Sequence, residues 1–216
     1  MKPRTAVITR KTLETQIELT LTLDGTGECR IDTGIGFLDH LFDSLARHSG
    51  FDLDLSCSGD THIDDHHAAE DCGLVLGYAL DKCLGDRKGI VRFGSAYAPL
   101  DEALARSVID LSGRPFARID LRLEREMLGK LSCENIPHIL QSIATAARLT
   151  LHTDILYGQN DHHKAEAAFK ATALALRQAV TRTGSGVIPS TKGSLSAEGL
   201  SLSTEGLSLS KEDWSP

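Results

Sequence analysis

Two stretches of this chain repeat each other at a spacing of about half its length. Leu38-Asp39-His40-Leu41-Phe42-Asp43-Ser44 aligns with Ile136-Pro137-His138-Ile139-Leu140-Gln141-Ser142 98 positions later, and Asp65-His66-His67-x-x-Glu70 returns as Asp161-His162-His163-x-x-Glu166 after 96. A repeat on this scale implies two similar units that bury their apolar faces against each other about a pseudo-twofold axis. The 216 residues leave room for one such domain and little more.

Hydrophobic periodicity fills in the units. In the first, Ile17, Leu19, Leu21 and Leu23 alternate as a half-buried strand. A turn at Asp24-Gly25-Thr26-Gly27 leads to a short strand near Cys29 to Ile31, which predicts a hairpin. Phe37, Leu38, Leu41, Phe42 and Leu45 then recur at helical spacing up to Gly50, and Phe51, Leu53, Leu55 and Cys57 alternate again. Residues 65–84 are helix-compatible up to Gly85. In the second unit, residues 90–98 read as a connection. Strands over 103–111 and 117–123 flank Ser112-Gly113 as a second hairpin, followed by a helix over 135–148, a strand over 149–155 and a helix over 163–181. The reading is an α+β fold of duplicated β-β-α-β-α halves, residues 1–95 and 96–194, in one compact domain with helices covering the sheets. Residues 195–216 form three Ser- and Gly-rich heptads beginning at Leu195, Leu202 and Leu209, which read as a disordered or docked tail without chemistry.

Charge and cysteine content narrow the function classes. A net charge of −7 argues against nucleic acid or an anionic membrane as the main partner. No run approaches the roughly 20 apolar residues of a membrane span, and the N-terminus lacks a signal-peptide core, so a cytoplasmic location is expected. Five cysteines without a CxxC pair read as buried thiols.

Nine histidines carry more information. On a helix, residues i and i+4 share a face while i and i+1 diverge by about 100°, so His66 joins Glu70 on one ion while His67 points elsewhere; the same holds for His162, Glu166 and His163. His40 and His138 are related by the repeat. The eight groups divide into two sets of three imidazoles and one carboxylate, which suits an octahedral ion such as Mn(II) or Fe(II), with zinc as an alternative. Asp65 and Asp161 read as helix caps or as acceptors that orient the imidazoles, Asp71 as structural, and His62 and His152 as structural. His48 lies two turns after His40 on the same helix.

Five motifs, Thr33-Gly34-Ile35-Gly36-Phe37-Leu38-Asp39-His40, Asp64-Asp65-His66-His67-Ala68-Ala69-Glu70-Asp71, Pro99-Leu100-Asp101-Glu102-Ala103, Asp161-His162-His163-Lys164-Ala165-Glu166-Ala167 and Pro189-Ser190-Thr191-Lys192-Gly193, resemble the imidazoleglycerol-phosphate dehydratase family from about residue 4 to 194. The resemblance implies dehydration of imidazole-glycerol phosphate to imidazole-acetol phosphate in histidine biosynthesis, with two Mn(II) ions per active site. It also implies a homo-oligomeric 24-mer of trimers whose sites are completed across subunits. Carried over residue by residue, one manganese falls to His40, His67, His162 and Glu166, and the other to His66, Glu70, His138 and His163. Substrate positions fall on Glu14, His40, His48, His66, Glu70, Arg92, Arg114, His162, Lys170, Lys192 and Ser194, the cations suiting the phosphate. The sequence departs from the family pattern at Ser194-Leu195, where an apolar residue is expected, and in its tail.

The proton lost from C2 of this substrate is not adjacent to a carbonyl, so elimination needs another electronic push. The expected route is a metal-bound imidazolate that expels the C3 hydroxyl to give a diazafulvene, with Glu14 as the proton-transfer group. Competing readings are a dinuclear hydrolase and a non-catalytic shell stapled by metal.

Overall fold

The computed structural model describes residues 2–191 and residue 195; the tail from 196 onward, with Lys192 and Ser194, lies outside the described residues. Strands β1 (Thr5–Lys11), β2 (Thr15–Thr22), β3 (Cys29–Asp32) and β4 (Asp52–Gly59) alternate with helices α1 (Gly36–Ser49) and α2 (His66–Leu84) in the first half. The second half holds β5 (Phe93–Leu100), β6 (Ala103–Asp110), β7 (Phe116–Asp120), the short pair β8 (Met127–Leu128) and β9 (Leu131–Ser132), helix α3 (Asn135–Ala146), β10 (Thr150–Tyr157) and helix α4 (Asp161–Val180).

The α+β duplication is borne out, with one more strand in each four-stranded sheet than the periodicity indicated and the short pair β8–β9 in addition in the second half. β1 is an edge strand, and β5 occupies the stretch read as a connection. Neither expected hairpin forms. β2 pairs with β1 and β4, and β3 lies parallel to β4 on its far side, giving the order β1-β2-β4-β3. The second sheet repeats it as β5-β6-β10-β7. The short strand after the turn therefore crosses over its hairpin partner's neighbour, and α1 or α3 supplies the return.

Each sheet lays its inward face on two helices, α1 and α2 on the first and α3 and α4 on the second. The helix layers then meet, α2 against α3 and α1 against α4. Ile17, Leu19, Leu21, Leu53 and Leu55 face inward from the first sheet; Ala105, Ile109, Leu151 and Ile155 do so from the second, so one core fills the sandwich. Gly73 and Gly77 let α2 and α3 approach closely: a Cβ on Gly77 would stand 2.6 Å from Ala146 Cβ and 2.7 Å from the Ile143 carbonyl. Helix ends repeat too. Gly50 and its counterpart Arg148 both take left-handed φ values, 76° and 51°, and the next N–H, of Phe51 or Leu149, bonds back to Ala46 or Ala144 at 3.1 and 3.0 Å.

The pairings locate where the halves differ in length. β2 and β3 superpose on β6 and β7 at a shift of 88, whereas β4 superposes on β10 at 98. The ten extra residues lie in the loop that carries β8 and β9 between β7 and α3.

Candidate active site

Crossing of the helix pairs brings the repeated histidines to the carboxylates of the opposite half. His40 on α1 meets the first turns of α4, where its Nε2 is 3.1 Å from Glu166 Oε2 and His162 Nε2 is 3.3 Å from the same oxygen. The pseudo-equivalent cluster joins His138 on α3 to the start of α2. His138 Nε2 is 3.3 Å from Glu70 Oε1, and His66 Nε2 is 3.7 Å from Glu70 Oε2. In each trio the donor atoms lie within 4.8 Å of one another.

The surroundings differ between clusters. Lys170 Nζ, one turn beyond Glu166, pairs with its Oε1 at 2.8 Å, while the Phe37 ring lies 5.0 Å from that of His162. Burial pushes the Glu166 carboxyl up, but Lys170 and His40 outweigh it and hold it at about 2. In the other cluster the rings of His66 and His138 stack at 5.1 Å, and His66 Nδ1 is 3.0 Å from Asn135 Oδ1.

Both trios fit a divalent ion. Two imidazole nitrogens and a carboxylate are borderline-to-hard donors of the kind Mn(II), Fe(II) and zinc accept, and three donors leave positions open. His138 Nε2 supplies a further sign: it is shielded from solvent and has no hydrogen-bond partner among the described residues, the Glu70 oxygen being near without forming a bond. A buried acceptor of this kind is expensive unless something binds it.

Helix geometry turns His67 and His163 away from both trios, as the i, i+1 offset requires. His67 Nδ1 is 3.1 Å from Asp60, at the end of β4, and its Nε2 is 3.6 Å from Glu14 on the β1–β2 turn. His163 Nδ1 is 2.7 Å from Glu102 on the β5–β6 turn. The carboxylates raise both imidazoles above their ordinary value, Asp60 chiefly for His67 and Glu102 for His163. Glu102 is held at about 2, first by the Asn160 N–H and then by His163. Among the described residues, each set of four thus contributes three members to a trio within this chain.

Asp65 and Asp161 neither cap through their side chains nor touch an imidazole. Asp65 accepts the N–H and hydroxyl of Ser132 at 2.6 and 2.8 Å, and Asp161 accepts the N–H groups of Glu124 and Arg125 at 2.8 and 2.7 Å. They tether the ten-residue insertion, and Asn160 caps α4 instead. Asp71 is structural as expected, bonded to Thr15 and Arg10. Glu102 and Asp60 do the ring-holding and were not singled out from sequence.

The expected phosphate ligands occupy two places. Lys170 and His48 lie near Glu166, and burial followed by the Lys170 charge lowers the His48 imidazole. Arg92 sits at the other end of α4, its N–H bonded to the Ala179 carbonyl, about 20 Å of helix from Glu166. Its guanidinium grips Asp110 at 2.7 and 3.0 Å and the Pro189 carbonyl at 2.6 Å, leaving two N–H donors. Exposed Arg114 is beside it, on the turn that follows Leu111, whose N–H bonds the Arg92 carbonyl.

Comparison with known proteins places the fold and sequence in a family. The family model for imidazoleglycerol-phosphate dehydratase matches residues 33–176. An imidazoleglycerol-phosphate dehydratase of Phytophthora nicotianae is 56% identical over 193 residues, 89% of this chain but 43% of that longer protein. The Kluyveromyces lactis enzyme is 51% identical over 215 residues, 89% of this chain and 97% of its own length. The crystal structure of the Staphylococcus aureus enzyme superposes with a TM-score of 0.76 at 37% identity, covering 83% of this chain and 99% of that one. The chain belongs to the imidazoleglycerol-phosphate dehydratase family, hydro-lyases of histidine biosynthesis.

Proposed function

We propose that the chain performs this dehydration in the cytoplasm with two Mn(II) ions per active site, one on each histidine cluster, inside a 24-mer of trimers whose neighbouring chains complete each site. The observation that carries the reading is the pair of pseudo-equivalent His-His-Glu trios, each one histidine short, with His67 and His163 turned outward on the same helices. The roughly 20 Å of α4 between Glu166 and Arg92 supports the shared site, since one chain's trio and its own Arg92 are too far apart to hold one small substrate. An outward face of the second sheet that exposes Phe93, Tyr97, Val108 and Phe116 supports assembly.

His40, His162, Glu166 and His67 would hold one ion, and His66, Glu70, His138 and His163 the other. When bound, the ions supply Lewis acidity that lets the substrate's imidazole ring carry anionic charge. The chain's own groups do the rest. Arg92, Arg114 and Lys170 bind the phosphate, together with Lys192 and Ser194 from outside the described residues, and His48 borders the Lys170 side. The Glu14 carboxylate, about half exposed beside His67, moves the proton at C2. The C3–O and C2–H bonds break, the hydroxyl leaves as water, and the resulting enol takes a proton at C3 to become the ketone.

The test is to strip the protein with chelator and assay product formation with and without Mn(II), following particle size in parallel. Mn(II)-dependent turnover with reassembly is expected; reassembly at full loading without turnover would leave a metal-stapled shell. Glu14→Gln is expected to keep its metal and lose about two orders of magnitude in turnover, and near-normal turnover would remove Glu14 from the mechanism.

A further inference from the structure

His67 and His163 are each gripped on one ring nitrogen. His163 Nδ1 is 2.7 Å from Glu102 Oε2, and His67 Nδ1 is 3.1 Å from Asp60 Oδ2. On the other nitrogen the nearest carboxylates, Asp101 and Glu14, stand at 3.8 and 3.6 Å, beyond hydrogen-bond reach. A carboxylate at Nδ1 keeps the proton there and leaves the Nε2 lone pair free to bind.

The halves reach this arrangement by different residues. Past the register shift between Ile155 and Tyr157, Gly158 lies against Ala103 as Gly59 lies against Thr15, which puts Gln159 where the first half has Asp60, so the second half has no acid at that position. Glu102 comes instead from the β5–β6 turn, whose counterpart, at a shift of 88, carries Glu14. Its other oxygen accepts the N–H groups of Gln159 and Asn160 at 3.2 and 2.8 Å, so the carboxylate is braced independently of the ring. We infer that Glu102 is a positioning residue that holds His163 with Nε2 presented as the metal-donor atom, the task Asp60 performs for His67, and that this substitution of roles is what leaves Glu14 free to move protons. The inference rests on the metal reading above.

Glu102→Gln tests it with little change in shape. The amide oxygen can keep the two backbone N–H groups, which turns the amide NH2 toward Nδ1 and drives the ring proton to Nε2, where it blocks binding. Mn(II) titration of the chelator-stripped full chain by calorimetry is the readout, with the melting temperature of the metal-free protein as control. Wild type is expected to bind two ions per chain, and Glu102→Gln to weaken one of the two classes by about 10–100-fold while leaving the other and the metal-free melting temperature unchanged. Asp60→Ala is expected to weaken the other class. Unchanged affinities in Glu102→Gln, or equal weakening of both classes with a lowered melting temperature, would overturn the role. Absence of tight Mn(II) binding in wild type would instead remove the metal reading, and this inference with it.

Discussion

Leu19, Leu55 and Leu76 in the first half occupy the places that Ser107, Thr153 and Thr172 occupy in the second, all six at most 3% exposed. The leucines fill their layer by packing. The hydroxyls fill theirs with a ring of hydrogen bonds, Ser107 to Thr153 at 3.0 Å and Thr172 to both at 3.3 Å. Between the helices the contrast continues. Gly73 and Gly77 on α2 correspond to Phe169 and Ala173 on α4, and Leu74 corresponds to Lys170. What persists is the placement of His40 and His138 against the two HHxxE turns. Complementarity within each half therefore preserves the backbone geometry that brings each His-His-Glu trio together, while residue identity elsewhere drifts, and exchanging residues between halves should expose that.

The largest effect is expected from moving a hydroxyl into the leucine layer. Leu55→Thr removes buried apolar volume and leaves an oxygen without a partner, a cost of about 4 kcal/mol by denaturant unfolding. Adding Leu19→Ser and Leu76→Thr rebuilds the hydroxyl ring, so the triple variant should be less destabilised than the sum of its singles by about 1–3 kcal/mol. Strict additivity would mean that the two layers do not interchange as units.

Next comes the helix contact. Gly77→Ala places a methyl against Ala146 and the Ile143 carbonyl, so α3 must move, and about 3 kcal/mol, or roughly 6–12 °C in Tm, should be lost. Because α3 carries His138, Mn(II) affinity should fall at the Glu70 cluster and hold at the Glu166 cluster. The reciprocal Ala173→Gly should cost about 1 kcal/mol from helix propensity alone. Equal losses from the two changes would show that close approach of α2 and α3 is not what the glycines serve.

The separation of His66 from His67, the His40–His138 equivalence and all four helices are legible because the helical period acts within a few residues and the two halves restate the same short motifs. Strand pairing is not local in this way. β1 buries only Ala6 in full and β5 mixes glycine, alanine and Pro99, so neither announces itself. The turns after β2 and β6 resemble hairpin turns, although both chains pass across the sheet. Asp65 and Asp161 look like caps because their partners lie in an insertion that the repeat does not contain. Glu102 escapes because it aligns with Glu14 only at the 88-residue shift, which the histidine motifs conceal with their 96 and 98.

The smallest expected effect concerns charge at one cluster alone. Lys170 holds Glu166 ionised against its burial, and Leu74 gives Glu70 no such neighbour. A carboxyl held at about 2 rather than its usual 4.5 stabilises the metal-free fold above about pH 4.5, and that contribution fades as pH falls through 2. Lys170→Leu, which installs the first half's residue, releases Glu166 toward its ordinary value. Metal-free wild type should therefore exceed the variant by about 1 kcal/mol near pH 6, and the two unfolding curves should converge as the pH approaches 2. A gap that persisted unchanged at pH 2 would assign the loss to the packing of the lysine stem, and the charge asymmetry between the clusters would then contribute nothing to stability.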